Sequence, residues 1–125
     1  MSEALEVGKR LVDLCRQGKY AEAITSLYSQ EIVSVEAGPG GPQRMQGLEA
    51  VKGKTDWWEQ NHEVHGSEID GPWPHGDRFI VRFKIDVTAK AGPMAGQRFT
   101  MDEAGLYTVK NGKVSQEEFF YSMGE

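Results

Sequence analysis

Residues 78–90 alternate sharply between apolar and polar side chains, and this alternation constrains the fold more than any other feature of the sequence. The apolar members occupy every second position: Phe79, Val81, Phe83, Ile85 and Val87. Because successive side chains of a strand point to opposite faces of a sheet, the segment predicts a strand with one buried face. Three further segments predict strands of the same sheet: 62–70, 97–109 and 113–123.

The first half of the chain has a helical period instead. Apolar residues recur at three- and four-residue spacing in segments 2–18, 20–28 and 47–61, which predicts three helices. Between the last two helices, β-branched residues predict a short strand at 31–37. The Gly-Pro-rich stretch that follows predicts a loop at 38–42. Further loops are predicted at 71–77 and 91–96. This order predicts one α+β domain over residues 1–125, with three helices against a curved antiparallel sheet.

Composition and charge narrow the classes of partner. The 125 residues carry a net charge of -5 and no basic run, which disfavours nucleic acid and anionic membranes. Cys15 is the only cysteine, so no intrachain disulfide is expected. The first residues lack the cationic start and apolar core of a secretory signal, and no apolar run is long enough to span a membrane. We therefore expect a cytoplasmic protein.

The last hairpin has apolar residues on both faces. An Asn-Gly turn of two residues pairs Lys110 with Lys113. If the two strands continue to pair residue by residue from this turn, Glu103 lies opposite Phe120. One face would carry Phe99, Met101, Glu103, Tyr107, Val109, Val114, Glu118 and Phe120. The other would carry Ala104, Leu106, Phe119, Tyr121 and Met123, with Asp102 and Glu117. We expect helices to cover one face and a second subunit to cover the other, in a homodimer.

In that register Glu103 and Glu118 are diagonal neighbours on one apolar face, about 7–8 Å apart by strand geometry. Burial and mutual repulsion raise the pKa of one of two such carboxyl groups, which gives a site an acid and a base at neutral pH. The pair is therefore the predicted catalytic centre. In the alternative, both glutamates are solvated at the open end of the sheet or accept a hydrogen bond from a tryptophan.

A histidine is a candidate to assist these glutamates. If Ile69 pairs with Phe79 across the predicted loop 71–77, His65 lies on the inner face opposite Phe83. A one-residue slip of this register places His62 there instead. The alternative is a core histidine hydrogen-bonded to a backbone carbonyl group. Since His62 and His65 point to opposite faces of a strand, no metal site is expected.

Two adjacent tryptophans lie near the end of the third predicted helix. Trp58 continues the apolar stripe, whereas Trp57 flanks it and could stack on a flat ring at the mouth of a cavity. Core packing of both is the alternative. The glycines at 38–42 lack the lysine and spacing of a phosphate-binding loop, so no nucleotide cofactor is expected. The residues predicted to contact a ligand are Trp57, Trp58, His62, Phe83, Met101, Tyr107 and Phe120.

Four stretches together resemble one known family. They are the helical start, the Leu-Glu-Ala-Val helix at 48–51 leading into Trp57-Trp58, the segment 76–81, and the hairpin 106–114. In order and spacing the chain resembles the SnoaL-like branch of the nuclear transport factor 2-like superfamily. The resemblance implies a cone, in which a bent sheet wraps around helices, with a cavity at one end and a dimer contact on the convex side.

Two functions are consistent with the residues and the resemblance. In the first, the cone binds a small hydrophobic, cyclic molecule without reacting with it. In the alternative, the protein is an isomerase, cyclase or dehydratase without a metal or nucleotide cofactor, and Glu103 or Glu118 moves a proton beside a carbonyl group with His65 assisting. The resemblance to the cyclases implies an aspartate near the position of Gly105, where the nearest acid is Glu103. Since such folds carry many activities, the fold alone does not decide between the two.

Overall fold

The fold follows the predicted order of helices and strands. A computed structural model describes residues 3–37 and 43–121, so the predicted loop 38–42 and the end of the last predicted strand lie outside the described residues. The helices are α1 (Glu3–Arg16), α2 (Tyr20–Leu27) and α3 (Leu48–Gln60). The strands are β1 (Tyr28–Glu36), β2 (Gln43–Gln46), β3 (His62–His75), β4 (Arg78–Ala89), β5 (Arg98–Lys110) and β6 (Lys113–Tyr121).

The strands form a single six-stranded sheet in the order β2-β1-β6-β5-β4-β3. The predicted α+β architecture, with three helices against a curved sheet, is confirmed. The sheet is mixed, because β6 returns beside β1 and runs parallel to it while the other neighbours are antiparallel. The short edge strand β2 was not predicted, since its four residues show no alternation of apolar and polar side chains. No helix in the described part of the chain has the length and apolar character to cross a membrane.

The helices pack on the inner face of the sheet, where the alternating apolar residues of β4 are buried as predicted. The first helix is fixed against β3, because the Arg16 guanidinium donates two hydrogen bonds, of 2.9 and 2.8 Å, to the Ile69 carbonyl oxygen. Gly8 permits a second close contact of α1 with β3, since a Cβ atom at Gly8 would lie 2.8 Å from the Pro72 side chain. These contacts hold α1 close to the sheet.

The strand β3 continues where the sequence predicted a loop over 71–77. Gly71 has a φ of 120°, which favours glycine, and the pairing with β4 shifts between Asp70 and Trp73. The strand therefore bends at this point and continues to His75. Ile69 pairs with Phe83, and the predicted pairing of Ile69 with Phe79 is wrong.

The last hairpin has the predicted turn but a different register. Lys110 pairs with Lys113 and Val109 with Val114, and one extra residue, Ser115, then interrupts the pairing, so that Thr108 lies opposite Gln116. A β-bulge of this kind reverses the faces of every later residue in the strand. From this point on the predicted register is wrong: Glu117, Phe119 and Tyr121 lie on the inner face, and Glu118 and Phe120 on the outer face.

Candidate functional site

A cavity of about 500 Å³ opens between the helices and the inner face of the sheet. Side chains from all three helices and from β1, β2, β4, β5 and β6 line it. Most of its lining is aromatic or aliphatic, and the aromatic members are Tyr20, Tyr28, Trp57, Trp58, Phe83, Tyr107, Phe119 and Tyr121. The charged members are Glu36, Lys54, Glu103 and Glu117. The cavity is thus an apolar space with a small number of ionisable groups on its wall.

Glu117 is the most buried of these ionisable groups, with 2% of its surface exposed. One carboxyl oxygen accepts a hydrogen bond from the Tyr28 hydroxyl, and the other accepts one of 2.7 Å from the Ser34 hydroxyl. Burial raises the pKa of Glu117, while Lys54 and these hydrogen bonds oppose the rise. Both oxygens are therefore occupied by partners from β1, which fixes this carboxyl group in place.

Lys54 of α3 connects the helix to the sheet at the same point. Its ammonium group donates to the Ser34 hydroxyl at 2.8 Å and to a Glu36 carboxyl oxygen at 2.9 Å, and lies 3.7 Å from Glu117. It also lies 5.4 Å from the centre of the Phe119 ring, within range of a cation–π contact. The positive charge of Lys54 is thus directed to β1 and β6.

Glu103 differs from Glu117 in having no such partners. Its carboxyl group lines the cavity from β5, and no hydrogen bond or ion pair to it is found within residues 3–37 and 43–121. Burial, reinforced by the charge of Glu36, raises the pKa of Glu103 to about 7, and Lys54 opposes the rise. At neutral pH both forms of the carboxyl group are therefore populated, so that it can donate or accept a proton.

Tyr107 fills the space beside Glu117, which lies opposite it in the sheet. Its ring stacks on Phe79 with the ring centres 4.9 Å apart. It also covers Gly105, where a Cβ atom would lie 2.8 Å from the ring and 3.1 Å from the hydroxyl oxygen. Burial raises the pKa of Tyr107 well above its ordinary value, so its hydroxyl group stays protonated. A side chain at position 105, where the cyclases were expected to carry an aspartate, would therefore displace the Tyr107 ring.

Six of the residues predicted for the site line the cavity: Glu103, Trp57, Trp58, Phe83, Met101 and Tyr107. Trp57 is 56% exposed, as expected of a residue at the mouth. The roles predicted for these residues in ligand binding and catalysis stay predictions.

Four predicted residues are not brought to the cavity wall. Glu118 and Phe120 lie on the outer face because of the bulge at Ser115, and Phe120 is 50% exposed. His65 lies at a second irregularity of β3, between Val64 and Gly66, and its Nε2 atom is 2.7 Å from the Thr88 hydroxyl. The expected position of His65 on the inner face is therefore wrong.

His62 pairs with Ala89, which is buried on the inner face, so His62 lies on that face as the one-residue slip predicted, but it does not line the cavity. Its ring stacks on Trp58 with the centres 4.6 Å apart, and its Nδ1 atom is 2.9 Å from the Trp58 carbonyl oxygen. This is the alternative arrangement, a histidine hydrogen-bonded to the backbone, and it supports the position of Trp58.

The polar residues of β1 that contact Glu117 and Lys54 were missed in the sequence. Ser34 and Glu36 follow Ile32 at every second position of β1, on its inner face, which is unusual for polar residues beside a core. This pattern of polar residues at inward-facing positions is the sequence signal from which a polar site on β1 could have been predicted. Within the described ranges, no group of three or more His, Cys, Asp and Glu residues is arranged to hold a metal ion.

The SnoaL-like domain profile matches residues 2–121 of the chain. A candidate SnoaL-like polyketide cyclase from Mesorhizobium loti, also named a carbohydrate phosphatase, is 47% identical; the match covers 97% of this chain and 100% of that chain with a TM-score of 0.84. No curated protein matches significantly.

Two more distant structures show the same fold. A candidate SnoaL-like polyketide cyclase from Jannaschia sp. CCS1 is 13% identical over 98% of this chain and 90% of that chain, with a TM-score of 0.79. A hypothetical protein with a ketosteroid isomerase-like fold from Catenulispora acidiphila DSM 44928, solved with trimethylamine, is 19% identical over 92% and 85%, with a TM-score of 0.70. At these identities the likeness shows the fold alone.

Proposed function

The chain belongs to the SnoaL-like domain family, and from that premise we propose that it binds a small hydrophobic ring compound in its cavity. The observation that carries the proposal is the cavity of about 500 Å³ with its aromatic lining. Cavities that hold small molecules have volumes of about 300–1,000 Å³ and are mostly apolar with a few polar groups. The exposed Trp57 at the mouth offers a flat surface on which a ring can stack.

Thermal denaturation with neutral ring compounds tests this binding function. Suitable probes are 2-phenylethanol, cyclohexanol and 1-indanone. A compound that binds the native state at concentrations far above its Kd raises Tm by about 5 °C or more for a domain of this size. If no ring compound raises Tm, the cavity does not have the proposed function.

A second candidate function, proton transfer at a carbon beside a carbonyl group, is supported by Glu103. Its carboxyl group has no partner in the described residues, lines an apolar cavity, and has its pKa raised to about 7 by burial. In this reaction Glu103 takes a proton from the carbon atom, which leaves an enolate, and the resulting carboxylic acid returns the proton to the same carbon or, where the enolate is conjugated with a double bond, to the far end of that conjugated system. The substrate would be a cyclic ketone.

Deuterium exchange into 1-indanone or 2-tetralone tests the second candidate. In D₂O, the wild-type protein would accelerate exchange at the carbon beside the carbonyl group, which NMR detects. Glu103→Gln would reduce the acceleration by about 10²-fold or more, as expected when a general base is removed. Exchange at the wild-type rate in Glu103→Gln would exclude this role for Glu103.

We also propose that a second copy of the chain covers the outer face of the sheet. Three large apolar side chains of this face are exposed to solvent: Trp73 (53%), Ile80 (42%) and Phe120 (50%). Arg82 and Asp102 form a bidentate ion pair beside these apolar side chains. The two charges neutralise each other, so the apolar patch is bordered by polar groups without net charge, as in many protein interfaces. Sedimentation would show a dimer for the wild-type protein and a monomer for Phe120→Glu. A wild-type monomer at high concentration would contradict the proposal.

A further inference from the structure

The cavity wall has an excess of negative charge. Among the described lining residues there are three carboxyl groups, Glu36, Glu103 and Glu117, and one cation, Lys54. Because the Lys54 ammonium group already contacts Glu36 and Ser34 and lies close to Glu117, its hydrogen-bonding capacity is directed away from Glu103. Among the described residues, Glu103 is therefore the acidic group of the cavity wall that forms no ion pair with a cation, and Lys54 attracts it only from a longer distance.

The carboxyl oxygens of Glu103 are accessible from the cavity. In the described part of the chain, every fully buried side-chain oxygen or nitrogen atom has a hydrogen-bond partner, and the Glu103 carboxyl group has none. Its oxygens must therefore be open to the cavity. The ionisable groups that act on it come from the surrounding helices and strands: Tyr20, Glu36, Lys54, Tyr107, Glu117 and Tyr121.

The remaining surroundings of Glu103 are aromatic. Phe83 and Tyr121 lie beside it in the sheet, and Trp57 and Trp58 line the same cavity from α3. The faces of such rings attract a cation, most strongly where water is excluded. Aromatic rings with one unpaired carboxyl group therefore form a better environment for a positively charged group than for a neutral or negative one.

We propose that the ligand of this cavity carries a protonated amine on a hydrophobic ring, and that Glu103 forms the ion pair with that amine. This inference rests on the proposed binding function and names the chemical class of its ligand. A ligand carboxylate would add a fourth negative group to the wall, and a neutral ligand would leave the Glu103 carboxylate without a counter-charge. An ammonium group balances the charge and satisfies the open carboxyl oxygens.

The proposal sets the pH dependence of binding. An ammonium group favours the ionised form of Glu103, so binding near pH 7 releases a proton from this carboxyl group. Affinity for the amine rises between pH 5 and pH 8 as Glu103 ionises. It falls again when the amine loses its own proton, at about pH 10.

Calorimetric titration with three matched compounds tests the proposal: 2-phenylethylamine, 2-phenylethanol and 3-phenylpropionate. At pH 8 we expect the amine to bind at least tenfold more tightly than the alcohol, and the carboxylate to bind most weakly. Glu103→Gln should bring the affinity for the amine within about threefold of the affinity for the alcohol. Glu68→Gln, which removes an exposed charge from β3, is the control and should keep the tenfold preference.

The possible outcomes separate this inference from the proposed function. If the alcohol binds and the amine binds no more tightly, the protein has the binding function but the ligand is not an amine. If the amine preference persists in Glu103→Gln, another group holds the cation and the assignment to Glu103 is wrong. If none of the three compounds binds the wild-type protein, both the inference and the binding function fail.

Discussion

Glu117 lies directly opposite Tyr107 in the pairing of β5 with β6, on the inner face of the sheet. Without the extra residue at Ser115, Gln116 would occupy that position and Glu118 would face the cavity. The bulge thus decides which of two adjacent glutamates is buried, and it gives Glu117 its hydrogen bonds to Tyr28 and Ser34. One irregularity in a hairpin therefore determines the polar composition of the site.

Exchange of each glutamate for alanine tests this register. Glu117→Ala leaves the Tyr28 and Ser34 hydroxyl groups without their acceptor and removes one of the two carboxylates near Lys54, so we expect the free energy of unfolding to fall by about 3 kcal/mol. Glu118→Ala, on the outer face, should change it by less than about 0.5 kcal/mol. Urea denaturation measures both values. If Glu118→Ala destabilised the protein more than Glu117→Ala, the hairpin would have the regular register without a bulge at Ser115.

Two equally exposed tryptophans provide a matched test of the cavity mouth. Trp57 lines the cavity and is 56% exposed, whereas Trp73 lies on the outer face and is 53% exposed. We expect Trp57→Ala to weaken binding of a ring compound about tenfold, because a stacking surface is lost. Trp73→Ala should leave the Kd unchanged. Equal effects of the two substitutions in a titration would show that rings do not stack on Trp57.

Gly105 is required by the position of the Tyr107 ring. A Cβ atom at this position would lie 2.8 Å from the ring, so Gly105→Ala should lower the free energy of unfolding by about 1–3 kcal/mol. Gly66, on β3, has open space around the corresponding position. Gly66→Ala is therefore the control, with an expected change within about 0.5 kcal/mol. Equal stabilities of the two variants in thermal or urea denaturation would contradict this account of the ring.

Stability should depend on pH through Glu103. The raised pKa, about 7 against 4.5 for an ordinary glutamate, means that the folded protein holds this proton more tightly than the unfolded chain. The resulting stabilisation is complete below pH 4.5 and is lost as the pH rises to 7. Glu103→Gln does not titrate, so at pH 8 it should be more stable than the wild type by about 2 kcal/mol. Near pH 4 the two should be equally stable, and Glu68→Gln should retain the wild-type pH dependence.

The regular parts of the fold could be predicted because their periods are regular. The alternation from Phe79 to Val87 is buried as predicted, and the faces of β5 place Met101, Glu103 and Tyr107 on the cavity wall. The three helices begin and end close to the predicted residues. In each case burial on one face selects the sequence pattern directly.

The irregular parts could not be predicted, since a single inserted residue leaves no pattern. The bulge at Ser115 exchanged the faces of Glu117 and Glu118, and the irregularity after Val64 placed His65 on the outer face. The contacts of Lys54 with Ser34 and Glu36 join residues 18–20 positions apart, in a helix and a strand whose packing the sequence does not specify. These local irregularities and long-range contacts determine the site.

The Glu103 carboxyl group, which has no partner among the described residues, faces an apolar cavity and has a raised pKa. The most direct test follows the side-chain carboxyl ¹³C resonance of Glu103 by NMR between pH 3 and pH 9, without ligand, and assigns it through its loss in Glu103→Gln. The structure predicts a titration midpoint near pH 7. A midpoint at or below the ordinary value of 4.5 would show that the carboxyl group is solvated or paired, and would contradict the account.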